Sequence, residues 1–197
     1  QHCSGAGGMQ ISMHHGAMLA GVFSKEVFSA VALVLTFVAF VPYIRAILRG
    51  QTRPHVFSWL IWAFGTFTVF IAQLGDGAGI GAWPIGVSGL ITCFVALLAA
   101  RKSGDLSFVR MDWVFLVLAA CAIPLWAATD NALFAVVILT IVDLLGFGPA
   151  IRKAYDLPHE ENAVFFVMGA VRNLFVLFAL ENYTWITALF PAAVGMA

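Results

Sequence analysis

Residues 40–45 read FVPYIR and residues 147–152 read FGPAIR, so the chain repeats a proline-centred segment at an offset of 107. After a deletion of three residues the match continues, and Gly65 corresponds to Gly169 at an offset of 104. Self-similarity at a fixed distance is typical of a chain built from copies of one structural unit. The repeat therefore predicts two related halves with the same order of elements.

The composition around this repeat is that of a membrane protein. Hydrophobic residues make up 62% of the 197 residues and charged residues only 10%, against about 45–50% and about 25% in soluble domains. A water-soluble globule is therefore excluded. The formal net charge is zero, which excludes the basic surface that nucleic-acid binding requires. We expect the lipid bilayer as a partner and no nucleic acid.

Seven apolar runs are separated by short charged or glycine-rich stretches. A membrane-spanning helix needs about 20 mainly apolar residues, and these runs lack the strict alternation of barrel strands. The predicted spans are about 27–48, 57–74, 83–100, 113–128, 133–151, 163–180 and 183–194. The pattern predicts an all-α integral membrane protein with seven transmembrane helices.

The basic residues lie almost entirely in alternate loops. Loops one, three and five, with their flanks, contain eight of the ten: Arg45, Arg49, Arg53, Arg101, Lys102, Arg110, Arg152 and Lys153. Loops two, four and six contain no Lys or Arg, only acids such as Asp76, Asp130 and Glu181. Because basic loops are retained on the cytoplasmic side, we expect the amino terminus outside and the carboxyl terminus in the cytoplasm.

Combined with the spans, the repeat predicts a 3+1+3 arrangement. Spans one to three recur as spans five to seven, and span four connects them. Three-helix units separated by one helix share the same orientation, so they are parallel repeats, and a binding site would lie between them. The predicted units are an outer amino-terminal segment (1–25), a first repeat (26–100), a linker helix (101–131) and a second repeat (132–197).

This arrangement resembles the SWEET and PQ-loop (MtN3-type) superfamily of small-solute transporters. Matched prolines near the cytoplasmic end of the first helix of each triplet carry the resemblance, and residues 42–62 are also similar to a group of bacterial multi-pass membrane proteins near that superfamily. The similarity covers about residues 27–194. The Pro-Gln pair that names the PQ-loop family reads Pro42-Tyr43 and Pro149-Ala150 here. The resemblance implies alternating access in a bacterial cytoplasmic membrane.

Asp143 and Arg172 are ionisable residues inside predicted spans, where charges are costly and mark candidate functional sites. Asp143 lies eight residues before residue 151, or about 12 Å along a helix. Arg172 lies ten residues after residue 162, or about 15 Å. The similar depths predict an ion pair. It would either line a substrate site or fasten span five to span six without contacting substrate.

Three further residues are candidates for lining a substrate site. The repeat matches Thr36 to Asp143 and Thr68 to Arg172, so the first half would contribute two hydroxyl groups. Trp62 lies deeper than the other five tryptophans, which we expect to be interfacial anchors. An indole ring at this depth could stack against a sugar.

Pro42 and Pro149 each remove a backbone hydrogen bond from a helix. In the transporters that this chain resembles, such prolines are hinges for alternating access. A hinge and a fixed kink explain the matched positions equally well.

These features favour a transporter of a small polar solute, such as a sugar, an amino acid or an organic acid, with no cofactor. The spans contain none of the residue constellations of a hydrolase or a redox enzyme, so we expect no enzyme. The alternative is a non-transporting accessory subunit of a larger membrane complex. A homodimer and a larger complex both stay open as assemblies.

The amino-terminal segment also carries soft and imidazole groups of the kind that bind copper. They are His2, Cys3, Met9, Met13, His14, His15 and Met18. Two adjacent histidines face one metal only if the backbone is irregular. We therefore expect no metal site, and an outer copper-binding role stays a third alternative.

Overall fold

The structure is a computed structural model that describes residues 6–51, 54, 56–102, 110–156 and 163–197. Within these ranges, side chains are described from Lys25 onward, except at 57, 111–112, 147–156, 163–164 and 166. The described chain contains seven α-helices and no strand. They are α1 (Ala6–Leu48), α2 (Val56–Gly75), α3 (Trp83–Lys102), α4 (Arg110–Thr129), α5 (Ala132–Asp156), α6 (Ala163–Ala179) and α7 (Trp185–Met196), with a short 3-10 turn (Gly79–Ala82) before α3.

The expected all-helical class is confirmed, and part of the chain has membrane-spanning length. Three segments are long and apolar enough to cross a bilayer: Lys25–Leu48, Ser58–Gly75 and Gly79–Lys102. Four further apolar helical segments contain 10–17 described residues each: Trp113–Thr129, Ala132–Gly146, Val167–Ala179 and Trp185–Met196.

Two helices extend beyond the predicted spans. Helix α1 begins at Ala6 rather than near residue 27, and α5 continues to Asp156 rather than ending at residue 151. Apolar runs define what lipid can cover, whereas a helix continues until a breaker stops it. No proline lies between residues 6 and 27, and the next one after Asp156 is Pro158.

The third helix of each predicted triplet packs against the other two. Helix α3 packs against α1 and α2, and α7 packs against α5 and α6. Extensive contacts also join α1 to α6 and α2 to α5, while α4 packs against α5 and α2. Helices α5 and α6, although consecutive in the chain, approach each other little over their described residues.

One end of the bundle is held together by polar contacts between two loops. We call residues 76–82 and 180–184 the acidic-loop end. Asn182 Nδ2 donates to the carbonyl of Asp76 at 3.0 Å, and the Thr184 hydroxyl contacts the Asp76 carboxylate. Lys25 Nζ donates to the carbonyl of Leu180 at 2.8 Å. These bonds tie α1 and the two loops together.

Aromatic side chains cluster toward the opposite end. This aromatic cluster consists of Phe40, Tyr43, Trp59, Trp62 and Phe165, from α1, α2 and α6. The ring centroid of Tyr43 lies 5.2 Å from that of Trp59 and 5.5 Å from that of Phe165. Trp59 is only 6% exposed, so the expectation that it is an interfacial anchor is wrong. Its ring instead packs between helices.

The close packing of the acidic-loop end predicts that Gly81 does not tolerate an added methyl group. A Cβ at Gly81 would lie 2.8 Å from the Cα of Leu180, whereas a Cβ at Gly75 would meet no atom within 4 Å. Because backbone cannot move aside cheaply, Gly81→Ala is expected to destabilise the protein by about 1–3 kcal/mol. Thermal unfolding in detergent measures this, with Gly75→Ala as the control. Equal melting temperatures for the two variants would contradict this packing.

Candidate functional site

Asp143 and Arg172 lie near the midpoints of their helices and inside the bundle. Asp143 is the twelfth of 25 residues in α5, and Arg172 is the tenth of 17 in α6. Asp143 is 8% exposed and Arg172 is 7% exposed. Charged side chains are rarely buried to this extent without a partner. The similar depth expected for the two charges is consistent with these positions.

The two charges attract each other electrostatically, as each is the charged neighbour of the other. The guanidinium group also forms a hydrogen bond, in which Arg172 Nη2 donates to Asn173 Oδ1 at 2.7 Å. Helix α7 packs against both α5 and α6. Arg172 is therefore hydrogen-bonded by its own neighbour, while its charge is balanced by Asp143 on α5.

Asn173 is a residue of the site that sequence reasoning missed. Adjacent positions on a helix point about 100° apart, which by itself directs Asn173 away from Arg172. The long arginine side chain nevertheless reaches the amide. A Cβ at Gly195 would lie 3.1 Å from the Cβ of Asn173, so α7 packs closely on it. The sequence signal that could have identified Asn173 is an amide side chain within an otherwise apolar helix.

Two nitrogen atoms at this site have no hydrogen-bond partner. They are Arg172 Nε and Asn173 Nδ2, and both are buried. The orientation of the amide follows from chemistry, because arginine only donates and so must face Oδ1, which leaves Nδ2 as the unpaired donor. Leaving a buried donor unpaired costs about 1–3 kcal/mol. Each of these donors can pair with an acceptor on a water molecule or a solute.

Open space adjoins these donors. Gly169 lies three residues before Arg172 and four before Asn173, so the three share one face of α6. A Cβ at Gly169 would meet no atom within 4 Å, although Arg172, Asn173 and Val176 on the same face are buried. Gly169 itself is half-buried, so α6 has room for a side chain one turn from Arg172.

Trp62 approaches the other side of the site. A Cβ at Gly146 would lie 2.5 Å from Trp62 Nε1, so the indole of α2 packs against the backbone of α5. Gly146 is three residues after Asp143 and lies on the same face of that helix. The predicted site residue Trp62 is thus one helical turn from Asp143.

The two predicted threonines are buried but use their hydroxyl groups locally. Thr36 Oγ1 donates to the carbonyl of Ala32 and Thr68 Oγ1 to that of Phe64, each at 2.8 Å. Bonds to the carbonyl four residues earlier are a common alternative for threonine within a helix. The contacts of the described side chains do not join either hydroxyl to Asp143 or Arg172.

The predicted hinges lie within helices. Pro42 is inside α1 and is exposed, and the backbone at Pro149 is helical within α5. The side chain of Pro149 lies outside the described residues.

The predicted copper ligands fall largely outside the described part of the chain. His2 and Cys3 are not described, and neither are the side chains of the other five candidates. The backbone is helical from Ala6 through His14 and His15. Among the described residues, no group of three or more His, Cys, Asp or Glu side chains converges on a metal-binding position.

No family profile, curated protein or solved structure matches this chain.

The electrostatic attraction between Asp143 and Arg172 predicts that the stability losses from removing each charge are not additive. Asp143→Asn and Arg172→Gln each leave one buried charge without its counter-charge, so both are expected to lower the melting temperature in detergent. The double variant removes both charges and is expected to recover part of the loss, with a coupling energy of about 0.5–3 kcal/mol. Strictly additive losses would mean that the two charges act independently.

Proposed function

We propose that this protein is a membrane carrier of a small polar solute and that it works by alternating access between two three-helix units. The solute binds at Asp143, Arg172 and Asn173. The observation that carries the proposal is this buried charged site, with two unpaired donors beside an open gap. Most buried donors in folded proteins are paired internally, so two unpaired donors side by side favour a bound acceptor.

The pattern of helix packing supports two related units. Under the repeat, α1, α2 and α3 correspond to α5, α6 and α7. The contacts of α3 with α1 and α2 then correspond to those of α7 with α5 and α6. The contact of α1 with α6 corresponds to that of α5 with α2. This equivalence is what a twofold axis along the membrane normal would produce, with α4 as the linker.

Membrane insertion in this proposal uses all seven helices. Helix α5, with 25 residues, is about 37 Å long, whereas α7 has only 12 residues and is the shortest crossing. The eight basic loop and flanking residues favour a cytoplasmic location for the end opposite the acidic-loop end. The amino terminus is then outside, the carboxyl terminus is inside, and the membrane is the bacterial cytoplasmic membrane of the proteins that the sequence resembles.

Alternating access requires that each end can open separately. The acidic-loop end is closed by polar bonds between the two units, such as that from Asn182 Nδ2 to the carbonyl of Asp76. The opposite end is closed by ring contacts, such as that of Tyr43 with Phe165. Pro42 lies beside Tyr43 in α1 and is placed to flex that end, with Pro149 as its counterpart in α5.

The carrier function predicts solute uptake that depends on the buried charges. Purified protein in proteoliposomes is expected to exchange at least one of a panel of labelled sugars, amino acids and organic acids. Asp143→Asn and Arg172→Gln are each expected to slow that exchange about 10- to 100-fold, because a hydrogen bond to a charged group contributes about 1.5–3 kcal/mol.

Matched controls for this experiment lie on the surface. Asp130→Asn makes the same chemical change at an exposed residue with a φ of 50°, a conformation that asparagine tolerates. Arg101→Gln is the exposed counterpart of Arg172→Gln. Both are expected to exchange at the wild-type rate. No exchange of any solute, together with a stoichiometric partner in mild detergent, would refute the carrier and favour the accessory-subunit alternative.

Closing the acidic-loop end covalently is expected to stop transport. The side chains of Asp76 and Thr184 are in contact, so the double variant Asp76→Cys and Thr184→Cys, made without the three native cysteines, brings two thiols together. Oxidation is expected to abolish exchange and reduction to restore it. Either single cysteine variant, treated in the same way, is the control. Full exchange by the cross-linked protein would contradict opening at this end.

A further inference from the structure

The unpaired atoms of the site define the chemistry of its occupant. Arg172 Nε and Asn173 Nδ2 are adjacent buried donors on α6. A carboxylate offers two acceptor oxygens, and hydrogen bonds to an ionised acceptor are roughly twice as strong as those between neutral groups. A carboxylate would therefore satisfy both donors more strongly than a neutral hydroxyl.

The opposite wall carries the complementary charge. Asp143 is only 8% exposed and interacts electrostatically with Arg172, and Trp62 of α2 packs one helical turn away, against Gly146. A simple anion bound at Arg172 would place a second negative charge near Asp143. A simple cation at Asp143 would face the guanidinium. A solute with both charges avoids these repulsions and pairs with each charged group, whereas a neutral solute avoids them but forms only the weaker, neutral type of hydrogen bond.

Resting on the carrier function proposed above, we propose that the solute is a small zwitterionic α-amino acid. Its carboxylate accepts hydrogen bonds from Arg172 Nε and Asn173 Nδ2, and its ammonium group donates to Asp143. The side chain of the amino acid occupies the gap beside Gly169, where an added Cβ would meet no atom within 4 Å.

Variants that keep the charge of the site distinguish a carboxylate held by specific donors from a solute attracted by charge alone. Asn173→Ala removes the Nδ2 donor and the Oδ1 that accepts from Arg172 Nη2, but it keeps the Cβ that packs against Gly195. Arg172→Lys keeps the charge but replaces the planar donor fork with one ammonium group. Neither variant changes the net charge of the site.

The test compares four labelled probes in proteoliposome exchange. They are L-alanine, L-lactate (which has a hydroxyl in place of the ammonium), L-alaninamide (which has an amide in place of the carboxylate) and D-glucose. The wild-type protein is expected to exchange L-alanine at least about tenfold faster than the other three probes, which corresponds to one charge-assisted hydrogen bond.

The variants are expected to change this preference in different ways. Asn173→Ala and Arg172→Lys slow L-alanine exchange at least about tenfold, whereas Arg101→Lys, the exposed control, does not. Asp143→Asn lowers the ratio of L-alanine to L-lactate exchange, because it removes the partner of the ammonium group. Asn173→Ser keeps a smaller donor and gives an intermediate rate, and size-exclusion profiles check that each variant is folded.

The outcomes separate the two proposals. If D-glucose exchanges and L-alanine does not, or if L-alanine and L-lactate exchange equally, the amino-acid assignment is overturned while the carrier stands. Wild-type L-alanine exchange by folded Asn173→Ala and Arg172→Lys would also overturn it, since the two donors would then bind water. If neither these probes nor the wider solute panel exchange, both proposals fail.

Discussion

A guanidinium group enclosed by apolar helices needs acceptors and a counter-charge, and this need governs the interior of the bundle. Arg172 obtains one acceptor from its own neighbour, Asn173, and its counter-charge from Asp143 on a helix with which its own shares few contacts. Helix α7 packs against both α5 and α6 and so connects the two helices that carry the charges. Removing either charge leaves the other in a medium that penalises it, so α5, α6 and α7 depend on one another.

The ends of the bundle are held by different chemistry, and this difference has physical consequences. At the acidic-loop end, Gln73 Nε2 donates to the carbonyl of Thr187 at 2.7 Å and the Ser29 hydroxyl to that of Ile80 at 2.9 Å. Directional bonds of this kind break when the loops separate but re-form with water. Ring contacts at the aromatic cluster are less directional, so Tyr43 and Phe165 can slide while they exclude water. In the proposed carrier, one end opens by exchanging hydrogen bonds and the other by repacking of aromatic rings.

Much of the fold was readable from the sequence, because helix periodicity and composition act locally. All seven helices occur near their predicted positions, and the errors at Ala6 and Asp156 arose because an apolar run ends before its helix does. Packing partners depend on contacts between distant residues, which a single sequence does not reveal. The burial of Trp59 is an example: its position near a span end suggested an anchor, but Phe40 and Tyr43 pack against it.

Only part of the site could be predicted from the sequence, because residue spacing does not show how far a long side chain reaches. Asp143 and Arg172 stand out because charges within apolar helices are rare. Asn173, the hydrogen-bond partner of Arg172, does not stand out in the same way. Residue spacing on a helix gives the direction of each Cβ atom, whereas the guanidinium group lies several bonds further out. The contact of Asn173 with Arg172 and its unpaired donor therefore follow from the side-chain packing and not from residue spacing. The same limit explains Thr36 and Thr68, which the repeat aligns with the charges but whose hydroxyls bond to their own helices. Matching positions in a repeat predict where a residue lies on its helix, but the partner of its side chain depends on the neighbouring residues, which differ between the two matched segments.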